Sequence, residues 1–227
     1  MNMTDTQFDG LVYGLAWGLW MFCLGYSIRQ APWKRLAEDG RIHLWLGSIV
    51  TLTLLWSIKA GVQPGLELHL LGANLLLLAF GPALATLAIA CVLCGLALNA
   101  GAGWLALGLN GLLIGVWAPW VGFFLYRAVV RWFPPQIFVF IFLNGFFSAG
   151  MTLVSVGLLS TLLLGFSGLY TLSFLSEEYL PYFLLLAFSE SWLNGMVVTF
   201  LVIYKPEWLL LFNRDRYFKH SDRIPFR

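Results

Sequence analysis

Residues 68–98 read LHLLGANLLLLAFGPALATLAIACVLCGLAL, a run without one charged side chain. A helix crosses the hydrocarbon core of a bilayer in ~20 residues, so this run is too long for one crossing and too apolar for a water-facing surface. Gly81-Pro82 stands in its middle and offers a place to turn, because proline breaks the helix that precedes it. The run therefore divides into a short third span (68–80) and a fourth (82–98). Apolar stretches at 11–29, 43–59, 104–126, 136–164 and 180–204 raise the count to about seven. Residues 61–67 (GVQPGLE) read as a loop or re-entrant turn, because Pro64-Gly65 interrupts helix. Residues 99–103, Pro134-Pro135 and the polar stretch 167–178 mark further connections. The expected fold is an all-α integral membrane protein, a compact bundle of about seven transmembrane helices. It forms one transmembrane domain (1–204) followed by a basic cytoplasmic tail (205–227).

Composition points the same way. Of the 227 residues, 60% are apolar and 11% charged, against about 25% charged in soluble domains. A formal net charge of +2 gives no argument for nucleic acid. The placement of the charges says more than their sum. Seven spans put twelve of the thirteen Lys and Arg residues, all but Lys59, on one side, and Asp5, Asp9, Glu67, Glu177 and Glu178 on the other. The positive-inside rule then sets the N-terminus outside and the C-terminus in the cytoplasm. Trp33, Trp45, Trp132 and Trp208 fall beside the basic clusters, where an interfacial aromatic belt belongs. The first ten residues contain no Lys or Arg, so the basic region of a cleavable signal peptide is missing and the first apolar run is expected to stay as a span.

Polar side chains inside the spans need a partner or a purpose. Asn74, Asn110, Asn144 and Asn194 fall there, and packing glue is the simpler reading for Asn144. Glu190 is the one acid well inside a span, with Asn194 one turn further on the same face. It reads equally as a functional acid or as a hydrogen-bonded structural one. His69 opens the third span, and imidazole is both a common metal ligand and a common packing residue. Cys91 and Cys94 have the Cys-x-x-Cys spacing but lie in an apolar helix with Cys23 elsewhere, so they read as small hydrophobes and not as a redox or zinc motif. Gly14-x-x-x-Gly18 and the Gly108, Gly111, Gly115 series permit close helix contact. No Walker A motif is present, so ATP hydrolysis is not expected of this chain. Ser189, Glu190, Ser191 and His69 do not make a nucleophile–base pair, and no enzyme is expected.

Several strings together resemble a known family. Pro64-Gly65 followed by His69-Leu-Leu-Gly-Ala73, the run through Gly81-Pro82, Ala106-Leu-Gly-Leu-Asn110, Glu190, and Lys205-Pro206-Glu207 are similar to the CbiM/NikM-type permease of cobalt and nickel energy-coupling-factor transporters. The likeness runs from about Asp9 to Trp208. It implies a multi-pass protein of the bacterial inner membrane that takes up a divalent transition metal as substrate, without a covalently bound cofactor. It also implies a transmembrane coupling subunit and cytoplasmic ATPases as partners. The family holds metal with its N-terminal Met-His segment and the histidine matching His69. This chain departs there: aligning Asp9-Gly10 with the family's Asp-Gly puts Thr6 at the histidine position, and residue 2 is Asn2. His69 is then the best metal candidate, with Asp9, Glu67 and Asn110 as oxygen donors, while Glu190, Asn194 and Asn74 form the intramembrane polar set. The expected function is a permease with a non-standard or lost nickel/cobalt site. The alternative is a non-transporting membrane assembly or binding factor on the same fold.

Overall fold

The computed structural model describes the backbone of residues 3–58, 60–63, 66–100 and 103–218, and their side chains except at 39, 60–63, 66–67, 99–100 and 218. Lys59, the Pro64-Gly65 turn and the tail residues Lys219, His220, Arg223 and Arg227 lie outside these residues. Among the described residues, regular structure is helical apart from one antiparallel pair of strands. Its elements are α1 (Gly10–Gln30), α2 (Trp33–Ala37), α3 (Arg41–Ser57), the antiparallel strands β1 (Ala60–Gln63) and β2 (Leu66–Leu68), α4 (Ala73–Phe80) and α5 (Pro82–Ala100). Next come α6 (Leu107–Trp132), α7 (Ile137–Ser167), α8 (Leu172–Tyr204) and the short α9 (Arg214–Phe218). Among the described residues α1, α6, α7 and α8 are long and apolar enough to cross a membrane. Helices α6, α7 and α8 each contain a π-helical stretch, at 111–117, 140–147 and 175–179.

The stretch expected as a third helical span is helical only from Ala73 to Phe80, a rise of about 12 Å. Residues 69–72 carry no regular secondary structure. Gly72 takes a left-handed conformation (φ +66°) to start α4, and a Cβ there would come 2.8 Å from Leu52 Cδ1. Non-helical backbone at membrane depth is tolerated where protein buries it, and Leu71 and Ala73 are fully buried. At the other end the expected turn is present. Gly81 (φ +83°) donates its N–H to Leu77 O at 2.8 Å, and Pro82 opens α5.

Two further expectations differ from the structure. Most of the stretch 167–178 is helical, because α8 begins at Leu172 with Thr171 Oγ1 accepting the Phe174 N–H as an N-cap. Glu177 and Glu178 stay exposed in its first turns, where acids suit the positive end of the helix. Trp45 is not an interfacial residue: it is buried, and its indole N–H donates to Leu84 O on α5 at 3.1 Å. Trp33, Trp132 and Trp208 are exposed.

Glycines set the close helix contacts. A Cβ at Gly108 would meet the Trp17 backbone at 2.8 Å, and Gly111 lies against the Trp20 indole, so α6 seats α1. Gly14 and Gly18 face open space instead, because α1 turns Tyr13, Ala16 and Trp20 toward the bundle. After α8 the chain folds back. Leu210 and Leu211 donate their N–H groups to Ala79 O and Leu78 O, both at 3.1 Å. Leu209, Phe212 and Tyr217 are buried in a cluster with Phe140, Val198 and Val202.

Candidate functional site

The polar side chains inside the bundle fall into two groups. The first forms a mouth where the N-terminal arm, the start of α4 and the start of α6 are held. Residues 3–9 are not a loose leader. Met3 donates its N–H to Asn110 Oδ1 at 2.6 Å, and Asn110 Nδ2 donates back to Met3 O at 3.0 Å. Tyr13 acts as a hub: its hydroxyl donates to Thr4 O and accepts the N–H groups of Gln7 and Phe8. Asp5 accepts the Ala106 N–H at 2.7 Å, tying the arm to the turn before α6. Met3 and Gln7 are buried as a result.

His69 lies between β2 and α4, only 3% exposed. Its ring rests on Trp56 with centroids 4.3 Å apart, and Nδ1 is 3.0 Å from Leu70 O. A carbonyl only accepts, so Nδ1 carries the hydrogen in this contact. Two residues on, Leu71 and Gly72 donate their N–H groups to Glu190 Oε2 and Oε1 at 2.8 and 2.7 Å. Glu190 is thus bonded through both oxygens to the backbone that leads His69 into α4, which is a structural use of the buried acid.

Of the other expected metal donors, Asn110 has both ends of its amide engaged by Met3. Asp9 stands exposed at the start of α1 without capping it through its side chain. Glu67 pairs through its backbone with Gly61, and its side chain is outside the described residues. Among the described residues, no three His, Cys, Asp or Glu side chains come together as a metal cluster. Sequence reasoning missed Met3, Asp5, Tyr13 and Trp56. Met3 acts through its backbone, Asp5 and Tyr13 through side-chain oxygens bonded to backbone groups, and Trp56 through its ring, and no local pattern marks them.

With this geometry in place, the comparisons are specific. Residues 2–208 match the family described as the cobalt uptake substrate-specific transmembrane region, CbiM. The chain belongs to the CbiM family. No curated protein matches the sequence. Two solved structures share the fold, one described as a truncated transition metal transporter and the other as a transition metal transporter. Each superposes with a TM-score of 0.78 at 18% identity over 89% of this chain, covering 98% and 92% of the respective structures.

The second polar group of this CbiM-family chain is a seam deeper in the bundle. Asn74 on α4 donates to Asn144 O at 2.8 Å, and Asn194 on α8 donates to Gly145 O at 2.5 Å. Both acceptors lie in the π-helical stretch of α7, where the widened turn leaves carbonyls for other partners. Asn194 follows Glu190 by one turn and is buried with it, as the spacing predicts. Among the described residues, Asn74 Oδ1, Asn194 Oδ1, the Asn144 amide and the hydroxyls of Ser148 and Thr152 have no hydrogen-bond partner. Cys91 is exposed and Cys94 half-buried on α5.

Proposed function

We propose that this CbiM-family chain is the substrate-binding membrane subunit of an energy-coupling-factor transporter, with a divalent transition metal ion as its substrate. The observation that carries the reading is the family match across residues 2–208. The fold it shares with two transition metal transporters supports it. The proposed topology has seven crossings, made by α1, α3, residues 69–80, α5, α6, α7 and α8. The N-terminus lies outside and the basic end in the cytoplasm, following the charge asymmetry. The chain resides in a bacterial inner membrane as one domain (1–204) with a cytoplasmic tail (205–227). A coupling subunit and cytoplasmic ATPases supply the energy that a chain without a Walker A motif does not.

His69 is the proposed ligand. A nitrogen donor suits nickel, cobalt or zinc over magnesium or calcium. Asn110 acts by holding the N-terminal arm, and Asp9 is left out of the ligand set. Glu67 is the remaining oxygen donor, tested by Glu67→Gln. Metal analysis of the purified chain with a native, untagged N-terminus tests the reading. Wild-type protein is expected to hold metal, and His69→Ala to lose more than about tenfold in affinity, since even outer-shell changes cost 10–100-fold. Cellular uptake should fall in parallel. A wild-type chain that binds no divalent metal, with cell metal content unchanged on deletion, sinks the proposal.

One observation favours the alternative of a non-transporting binding or assembly factor. Thr6 replaces the histidine that the family pattern requires, and Asn110 is bonded to the chain's own Met3. Metal binding without a co-purifying coupling subunit or ATPase would decide for that reading.

A further inference from the structure

An apolar groove and a basic cavity lie close together at the start of α3, where His43 lines the one and Arg41 the other. Helix α3 packs mainly on α5, and α8 mainly on α7. Between α3 and α8 runs a cavity of about 610 Å3 floored by α4, within the ~300–1,000 Å3 range of ligand-sized clefts. Its walls include Leu44, Gly47 and Leu55 of α3, Leu75 of α4, and Leu193 and Val197 of α8. Leu55, Leu193 and Val197 are exposed, so the groove opens sideways. Its main polar groups are turned to the protein itself: Glu190 to Leu71 and Gly72, Asn194 to Gly145 O, and Ser48 to Trp45 O. Apart from Thr51 and the Asn194 Oδ1 atom, an occupant of the groove therefore meets a largely apolar surface.

At one end the chemistry changes. His43 lines the groove, and two residues earlier Arg41 lines a second cavity of about 390 Å3. Arg35, Glu38, Glu207 and Arg214 share that cavity. Arg41 Nη2 donates to Glu207 O at 2.7 Å, which joins the start of α3 to the segment after α8. The Glu207 carboxylate is 3.8 Å from Lys205 Nζ. Counting Lys205, the charged groups among the described side chains are Arg35, Arg41, Lys205 and Arg214 against Glu38 and Glu207. Guanidinium groups match phosphate oxygens in geometry as well as charge.

We propose that groove and cavity together bind one anionic glycerophospholipid, its acyl chain along α3 and α8 and its phosphodiester at Arg35 and Arg41. Basic pockets between membrane helices select anionic headgroups on this principle. A zwitterionic headgroup would bring its own cation against the arginines. The inference goes beyond the metal reading and does not depend on it.

The full-length protein, reconstituted in phosphatidylcholine bilayers containing about a fifth phosphatidylglycerol, provides the test (native mass spectrometry after detergent extraction, with unfolding temperatures measured alongside). One phosphatidylglycerol should be retained in preference to phosphatidylcholine. Arg35→Gln and Arg41→Gln should each reduce retention about fivefold, and together about thirtyfold, from the ~1 kcal/mol per basic charge at a membrane surface. Gly47→Leu should close the groove. A Cβ there meets nothing within 4 Å, and leucine is a better helix former than glycine, so the fold and its unfolding temperature should be kept while lipid is lost. Equal retention of the two lipids overturns the proposal. So does wild-type retention in folded Gly47→Leu or in the double arginine variant, or a protein transmembrane segment found in the groove in place of lipid.

Discussion

At the mouth, Asn110 gives both ends of its amide to the backbone of Met3, and Glu190 gives each oxygen to one backbone N–H. In the seam, Asn144 receives Asn74 on its backbone carbonyl, but its side-chain amide and the nearby hydroxyls of Ser148 and Thr152 find no partner among the described residues. Asn110, Glu190, Asn144, Ser148 and Thr152 are all buried, where a lipid chain cannot satisfy a polar atom. The difference lies in what each side chain does for the fold. Mouth residues hold irregular backbone, which would otherwise leave donors unmet. Seam residues touch helices that already satisfy most of their own backbone. Removing a mouth residue should therefore expose a cost that removing a seam hydroxyl does not.

The largest effect is expected from Glu190→Ala. It leaves the buried Leu71 N–H and the half-buried Gly72 N–H without acceptors, at a cost of about 3 kcal/mol. Glu190→Gln retains one acceptor oxygen and should recover about half of that loss. Reversible unfolding in a defined bilayer or detergent measures both, and a loss below about 1 kcal/mol for alanine would erase the distinction between mouth and seam. Asn110→Leu comes next. Two hydrogen bonds to Met3 disappear, about 2 kcal/mol, and backbone amides of the arm should exchange with deuterium faster while those of α7 and α8 do not. Exchange unchanged in residues 3–8 would mean that Tyr13 and Asp5 hold the arm without Asn110. The smallest effect is expected from Ser148→Ala. Removing an unpaired buried hydroxyl should change stability by less than about 0.5 kcal/mol and can raise it. A loss above about 1.5 kcal/mol would show that the seam is as fully bonded as the mouth.

Much of the architecture is legible in the sequence because hydrocarbon allows few solutions. The turn at Gly81-Pro82, the long spans ending near Arg29, Arg131 and Tyr204, and the shared face of Glu190 and Asn194 follow from local pattern. The half-helix α4 does not. Residues 68–72 are as apolar as those that follow them, and only Glu190, 119 residues away from Leu71, makes the irregular backbone affordable. The same holds for the arm. Met3 and Asp5 look like the start of a polar leader until Asn110 and Ala106, 107 and 101 residues distant, are seen to hold them. Trp45 resembles a belt residue in sequence because its indole acceptor, Leu84 O, belongs to another helix.

The sequence by itself determined that this chain lives in a bilayer as a bundle of apolar helices, and it singled out His69 and Glu190. Periodicity and length suffice for that, since every residue in hydrocarbon is judged against the same solvent. Tertiary structure alone decided what those residues touch. It set the His69 ring on Trp56 with its proton directed to Leu70 O, and engaged Glu190 with backbone N–H groups. It also left an apolar groove open between α3 and α8 beside a basic pocket. Hydrogen-bond partners and gaps between helices depend on which segments meet, and distant parts of the chain supply those meetings.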